Sequence, residues 1–288
     1  MPLPMFKPPE EQPKRTANRI AHTVAIAAGK GGVGKSSITA NLAMALQRAG
    51  YSVGVMDTDI YGPSIRQMLP EEQMPEQIGE MLVPAISKGI KVISMAYFRQ
   101  PGEATAVRAP IANGMVTQFI KNVAWGNLDY LLIDFPPGTG DIQLTLTQQA
   151  NLTGAIMVTT PQEVALMDVR KAANLFHQVN VPILGVIENM SYYQPTPSSE
   201  RVYIFGKGGG KHLALEIGAP FLGSIPIDPE ICQCSDNGKS LFLDQPVQPP
   251  AAQAFIDVAQ QVVAHVTTLN RISKECLSSF NLIWKEMP

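Results

Sequence analysis

The stretch TVAIAAGKGGVGKSSITANLAMALQ, residues 23–47, decides the fold. A short apolar run comes first, a glycine-rich loop follows, and a longer apolar segment completes it. Residues 29–36 match the pattern G-x-x-x-x-G-K-[S/T], in which glycines let backbone N–H groups surround phosphate oxygens. The helix that follows such a loop directs the positive end of its dipole to the same place. The stretch therefore predicts a strand over 23–28, a phosphate-binding loop, and a helix over 36–50.

The same alternation continues along the chain. Further apolar runs predict strands at 52–57, 91–96, 130–135, 154–160 and 183–190, and helices are predicted at 108–124, 141–150, 163–179 and 208–217. Nearly continuous apolar runs are typical of strands that are covered on both faces. The predicted fold is α/β, with a doubly wound, mostly parallel sheet, helices on both faces, and ligands at the carboxyl ends of the strands.

Three segments are expected. Residues 1–20 are a Pro-rich flexible lead-in, 21–266 a single domain, and 267–288 a C-terminal tail for which a short helix is one alternative. That tail has an amphipathic pattern with a nearly neutral polar face. Such a face binds anionic lipid poorly, so packing on the domain or on a partner is favoured over a membrane.

Composition excludes several classes of protein. The formal net charge is −2 and no long run of Lys or Arg occurs, so no nucleic-acid partner is expected. No segment approaches the roughly 18 apolar residues that span a bilayer. Three cysteines in 288 residues do not make a disulfide framework. The expected location is the cytoplasm.

Several residue types around the loop fit phosphate chemistry. Lys35 would reach the β and γ phosphates, and the Ser36 hydroxyl would ligate Mg²⁺. Asp134 ends the predicted strand 130–135, where an aspartate holds Mg²⁺ through its water shell. Asp57 and Asp59 follow another strand, and an aspartate there can orient the water that attacks the γ-phosphate. The predicted nucleotide-binding residues are Gly29, Lys30, Gly31, Gly32, Val33, Gly34, Lys35, Ser36 and Ser37.

Three motifs together carry a resemblance to a known family. KGGVGKS (30–36), DTDIYGPS (57–64) and DFPPGTGD (134–141) are joined by VIENMS (186–191), the stretch 204–231 and SDNGKSL (235–241). In this order they resemble the Mrp/ApbC iron–sulfur cluster carriers, a branch of the deviant Walker A P-loop ATPases related to MinD and the nitrogenase iron protein. The resemblance covers residues 20–265.

The resemblance implies a homodimer that binds and hydrolyses ATP with Mg²⁺, slowly or under the control of a partner. Lys30 would be the signature lysine, which crosses the dimer interface to touch phosphate bound by the other subunit. The implied catalytic residues are Lys30, Lys35 and Asp59, with Asp134 on the metal. The adenine contacts would be Asn189, Pro226 and Asp228, and residues 138–141 would be the switch that senses the γ-phosphate.

The cysteines depart from the family pattern. Members that carry a cluster have a Cys-x-x-Cys soon after the NMS stretch, whereas residues 191–206 contain no cysteine here. Cys232 and Cys234 are the remaining candidates for a [4Fe–4S] cluster, because a dimer supplies four sulfurs from two pairs. The alternative, which we favour, is that they are small, partly buried side chains. Cys276 is predicted to be inert.

Three functions follow, in order of preference. The first is an ATP-dependent iron–sulfur carrier or scaffold with a client protein. The second is a cluster-free, ATP-dependent dimerisation switch that recruits a protein partner, as MinD-like and partition proteins do. The third is a small-molecule kinase. This class is disfavoured because the substrate lid of such kinases usually brings clustered arginines, whereas this chain has only a few, dispersed ones.

Overall fold

Ten strands and eight helices occur in the part of the chain that the computed structural model describes, namely residues 18–60, 62–98, 109–138, 140–196, 198–243 and 247–285, with side chains through residue 271. The strands are β1 (Arg19–Ala28), β2 (Val53–Asp57), β3 (Glu76–Ile78), β4 (Met81–Val83), β5 (Ala85–Ser87), β6 (Ile90–Ser94), β7 (Asn127–Asp134), β8 (Gly154–Thr159), β9 (Ile183–Glu188) and β10 (Phe221–Ser224). The helices are α1 (Lys35–Arg48), α2 (Ile65–Met68), α3 (Ala109–Asn122), α4 (Asp141–Gln149), α5 (Glu163–Gln178), α6 (Gly209–Glu216), α7 (Pro229–Asp236) and α8 (Pro250–Lys285). A 3-10 turn covers Met95–Phe98.

Eight of these strands form one sheet, in the order β10-β9-β8-β1-β7-β2-β6-β5. Every neighbouring pair is parallel except β5 and β6, which are antiparallel. Strands β3 and β4 make a separate antiparallel hairpin. The mostly parallel sheet and its flanking helices confirm the predicted α/β fold.

Strand β1 lies at the centre of the sheet because both of its faces are apolar. Val24 and Ile26 face a core shared with α1 and α8, whereas Ala25 and Ala27 face a core shared with α3, α4 and α5. Side chains along a strand alternate between its faces, so a continuous apolar run buries both. The glycine-rich loop follows directly after the carboxyl end of this central strand.

The predicted helices begin and end within two residues of the observed ones, but the sequence prediction missed several elements. Strand β10 was missed because FLGS is short and contains a glycine.

The predicted boundary at residue 267 falls inside α8, which is continuous from Pro250 to Lys285. Its buried stripe, Phe255, Val258, Val262 and Val266, repeats at helical spacing and anchors this helix to the sheet. Of the predicted lead-in over 1–20, residues 1–17 lie outside the described residues, and its end is wrong because Arg19 and Ile20 already pair with β7 as the start of β1.

Candidate functional site

The phosphate loop joins β1 to α1 and depends on its glycines at specific positions. Gly32 and Gly34 both have φ of 81°, a left-handed conformation that favours glycine. A Cβ on Gly29 would lie 2.1 Å from the carbonyl carbon of Asp168, so the loop packs directly on the backbone of α5. The loop geometry thus requires glycine where the motif has it.

Lys35, Ser36 and Asp134 come together at the end of this loop. The Lys35 ammonium is 2.8 Å from Asp134 Oδ1, and the Ser36 hydroxyl donates to Asp134 Oδ2 at 2.6 Å. Lys35 is 7% exposed and Asp134 is 0% exposed. Thr39, which the sequence prediction missed, donates to Asp134 Oδ1 at 2.8 Å. A carboxylate beside a hydroxyl is a pair of hard oxygen donors, which fits Mg²⁺.

Asp57 is a second buried carboxylate at the same sheet edge. Strands β2 and β7 are in register so that Asp57 lies opposite Asp134. The Ser94 hydroxyl donates to Asp57 at 2.8 Å, and the Asp59 N–H donates to it at 3.1 Å. Burial, and then the negative charge of Asp134, raise the pKa of Asp57 to about 7. At this sheet edge, the state in which both Asp57 and Asp134 are ionised is therefore disfavoured.

Asp59 and Lys30 are more accessible. Asp59 follows β2, is partly exposed, and accepts a hydrogen bond from the Gly62 N–H at 3.2 Å. Lys30 is also partly exposed, and its ammonium makes no ion pair or hydrogen bond with the residues that the structure describes. Both groups can thus act on something outside the subunit's own core.

The three predicted adenine contacts lie just beyond the neighbouring strands β9 and β10. Asn189 is buried, and its amide Nδ2 donates to the Val33 carbonyl in the phosphate loop at 2.8 Å. Pro226 is buried just beyond β10. Asp228 caps α7, accepting the Glu230 N–H at 2.9 Å. The structure thus brings Asn189 into hydrogen-bonding contact with the loop, whereas the Asp228 carboxylate is bonded to its own helix.

The predicted switch lies between β7 and α4. Thr139 is outside the described residues, and Gly140 and Asp141 begin α4. Gln143 donates to the Pro136 carbonyl at 2.6 Å, which ties the first turn of α4 back to the segment after β7. Pro136 lies two residues after Asp134, so the segment directly after this carboxylate is hydrogen-bonded to α4.

Cys232 and Cys234 both lie on α7, where the helix gives them different surroundings. Cys232 is exposed and its Sγ donates to Asp236 at 3.5 Å, whereas Cys234 packs against the core and donates to the Ser240 carbonyl at 3.6 Å. The hydrogen bond to Asp236 raises the pKa of Cys232, and burial raises the pKa of Cys234. Iron binds thiolates, so protonated thiols with separate partners fit a shared cluster poorly. The side chain of Cys276 lies outside the described residues.

No cluster of three or more His, Cys, Asp or Glu side chains arranged for a metal ion occurs among the described residues. In the same part of the chain, no helix is long and apolar enough to cross a membrane.

The model of the NUBPL iron-transfer P-loop NTPases, in the ParA group, matches residues 19–263. The chain belongs to this family. An iron–sulfur cluster carrier protein of Aquifex aeolicus is 44% identical over 257 residues, covering 87% of this chain and 70% of the relative. A carrier of the same description from Methanocaldococcus jannaschii is 43% identical and covers 88% of each chain. The resemblance inferred from the motifs is confirmed.

Solved structures agree with the fold. A nucleotide-binding protein of Archaeoglobus fulgidus, in complex with ADP, superposes on this NUBPL-family chain with a TM-score of 0.67 and 40% identity. The match covers 76% of this chain and 87% of the other. MinD of Pyrococcus horikoshii, complexed with Mg-ADP, gives a TM-score of 0.61 at 24% identity over 85% and 96% of the two chains. At that identity the likeness concerns the fold alone.

Proposed function

We propose that this protein is a Mg²⁺-dependent ATPase that acts as a homodimeric switch in iron–sulfur cluster transfer. The observation that carries the proposal is the contact of Lys35 and Ser36 with Asp134 beneath the glycine-rich loop. Membership of a P-loop NTPase family supports nucleotide binding, and the carriers that resemble this chain support the process. Free thiols at Cys232 and Cys234 suit a reducing compartment such as the cytoplasm.

ATP binding would rearrange the charges at the loop. The Lys35 ammonium, now held by Asp134, would turn to the β and γ phosphates. Ser36 and Asp134 would hold Mg²⁺, which neutralises phosphate charge when bound. Asp59 would orient the attacking water. In this proposal the residues Asn189, Pro226 and Asp228 line the side of the site that receives the base.

A second copy would complete the site by supplying Lys30. Two exposed apolar side chains at the start of α5, Val164 (67% exposed) and Met167 (54% exposed), lie next to Asp168, against which Gly29 packs. Exposed apolar side chains beside a ligand site are typical of surfaces that a partner covers. A lysine with no partner in the described part of its own subunit is the group expected to act across such an interface.

Mixing two inactive variants tests the trans lysine directly. Lys30→Ala should bind ATP but hydrolyse it roughly 10- to 1000-fold more slowly, less than the loss for an arginine finger because an ammonium is a single point charge. Lys35→Ala should lose nucleotide binding. In a mixed dimer, the Lys30→Ala subunit binds ATP and receives Lys30 from the Lys35→Ala subunit.

Random pairing would restore about a quarter of wild-type turnover, since half of the dimers are mixed and each has one working site. Lys207→Ala is the matched control, because Lys207 also lies in a glycine-rich turn but rests over the Tyr203 ring. Full activity of Lys30→Ala, or no recovery in the mixture, would refute the trans assignment.

The separate surroundings of Cys232 and Cys234 favour a second candidate, a cluster-free ATP-dependent switch that recruits a protein partner. Anaerobic reconstitution with iron and sulfide decides between the two. About two iron per subunit, lost in a Cys232→Ser/Cys234→Ser variant, would mean a shared cluster carried as cargo. Iron no higher than in the variant supports the cluster-free switch.

A further inference from the structure

Asn189 connects the end of β9 to the phosphate loop. Its amide Nδ2 donates to the Val33 carbonyl at 2.8 Å, and the side chain is 7% exposed. A Cβ on Gly34 would lie 2.3 Å from the same Nδ2, so the amide touches the loop backbone at two consecutive residues. The loop therefore rests on this one side chain at its Val33–Gly34 peptide.

Asn189 is itself firmly held. Its backbone N–H donates to the Thr159 carbonyl at 2.7 Å, which links it to the end of β8. The preceding Glu188 is 1% exposed and accepts both the Gly210 N–H, at 2.6 Å, and the Ser191 hydroxyl. The Glu188 carboxylate therefore accepts a backbone N–H at the N-terminus of α6, so the glycine-rich turn there already has an anionic acceptor from the chain itself. Because the backbone at and next to Asn189 is hydrogen-bonded to β8 and α6, the Asn189 side chain can hold the loop backbone in a fixed position.

We propose that Asn189 is a positioning residue for the phosphate loop, in addition to any contact with the base. A peptide unit is planar and trans, so its C=O and N–H point in opposite directions. Holding the Val33 carbonyl toward Asn189 therefore turns the Gly34 N–H away from it, in a loop whose N–H groups bind phosphate. Asn189 pre-organises the loop before nucleotide arrives. This inference rests on the proposed nucleotide site.

A ligand without a base separates the two roles of Asn189. We would measure the affinity of wild type and Asn189→Ala for ATP and for inorganic tripolyphosphate, both with Mg²⁺. Loss of loop positioning should weaken both ligands by the same factor, on the order of 5- to 20-fold, which is the typical effect of one buried hydrogen bond. Weaker ATP binding with unchanged tripolyphosphate binding would leave only a base contact and overturn the assignment.

Asn41→Ala is the matched control, because Asn41 is also buried and donates its amide to a backbone carbonyl, that of Ser37, at 2.9 Å. It should lower stability to a similar degree while changing both affinities by less than about twofold. An equal loss of affinity in Asn41→Ala would show a general stability effect and contradict the proposal.

Asn189→Asp keeps the shape of the side chain and covers the case in which Asn189→Ala does not fold. A carboxylate facing the Val33 carbonyl cannot donate to it, so both ligands should bind more weakly than to wild type. Wild-type affinity for tripolyphosphate in Asn189→Asp would refute the positioning role. A wild-type protein that binds neither ligand would instead remove the proposed function and this inference with it.

Discussion

Asp57→Asn should stabilise the nucleotide-free protein above neutral pH. The Asp57 carboxyl is fully buried opposite Asp134, and its pKa is raised from 3.8 to about 7. The folded protein therefore holds this proton more tightly than the unfolded chain does. The contribution of Asp57 to stability is largest below about pH 4, where the group is protonated in both states, and falls as the pH rises toward 7.

The magnitude follows from the pKa difference. One pH unit is worth about 1.4 kcal/mol in the interval between the two pKa values. Between pH 5 and the folded pKa of about 7, wild type should lose about 3 kcal/mol that Asp57→Asn retains, because the amide is never ionised. Ser94 and the Asp59 N–H donate to different carboxyl oxygens, so in Asp57→Asn the amide oxygen can keep the Asp59 N–H while the new NH₂ donates to the Ser94 hydroxyl oxygen, and both contacts retain a partner.

Urea unfolding at pH 5 and pH 8, without Mg²⁺ or nucleotide, measures this difference. The gap in the free energy of unfolding between Asp57→Asn and wild type should widen by about 3 kcal/mol from the lower to the higher pH. Asp129→Asn is the control: Ser52 lowers the pKa of Asp129, so both folded and unfolded forms are ionised throughout this range, and its gap should change much less than that of Asp57→Asn, the small change coming from His22, whose pKa Asp129 raises. Parallel curves for Asp57→Asn would refute the reasoning.

Three further outcomes are expected. Gly29→Ala should lower the free energy of unfolding by at least about 2 kcal/mol in urea titration, because its Cβ would meet the backbone of Asp168 at 2.1 Å; wild-type stability would contradict this close contact. Phe255→Ala should cost about 3–5 kcal/mol in the same assay, since the ring is fully buried between α8 and the sheet. Cys232→Ser/Cys234→Ser should leave ATP turnover unchanged, and a large loss would contradict the separation of these two thiols from the nucleotide site.

The phosphate loop and the strands that lead to it were predictable from local sequence. Strand β1 is apolar at every position from Val24 to Ala28, and the loop places glycine, lysine and serine at fixed spacing. Both signals depend only on neighbours along the chain. The order Lys35, Ser36 then predicted which side chain meets phosphate and which meets the metal ion, and the structure places both side chains against Asp134.

Pairings between distant strands were decided by the tertiary structure alone. Asp57 meets Asp134 because β2 and β7 pair in register, and Asn189 meets Val33 because β8 lies between β9 and β1. Neither contact leaves a periodic signal in the sequence, since each depends on strand order and register.

The sequence by itself therefore determined the α/β fold and the glycine-rich loop, and it predicted phosphate binding with Lys35 at the phosphate. Only the tertiary structure decided which buried carboxyl carries a raised pKa and which amide supports the loop. The physical reason is that desolvation and hydrogen-bond geometry depend on everything packed around a group, and residues far along the chain supply most of those neighbours.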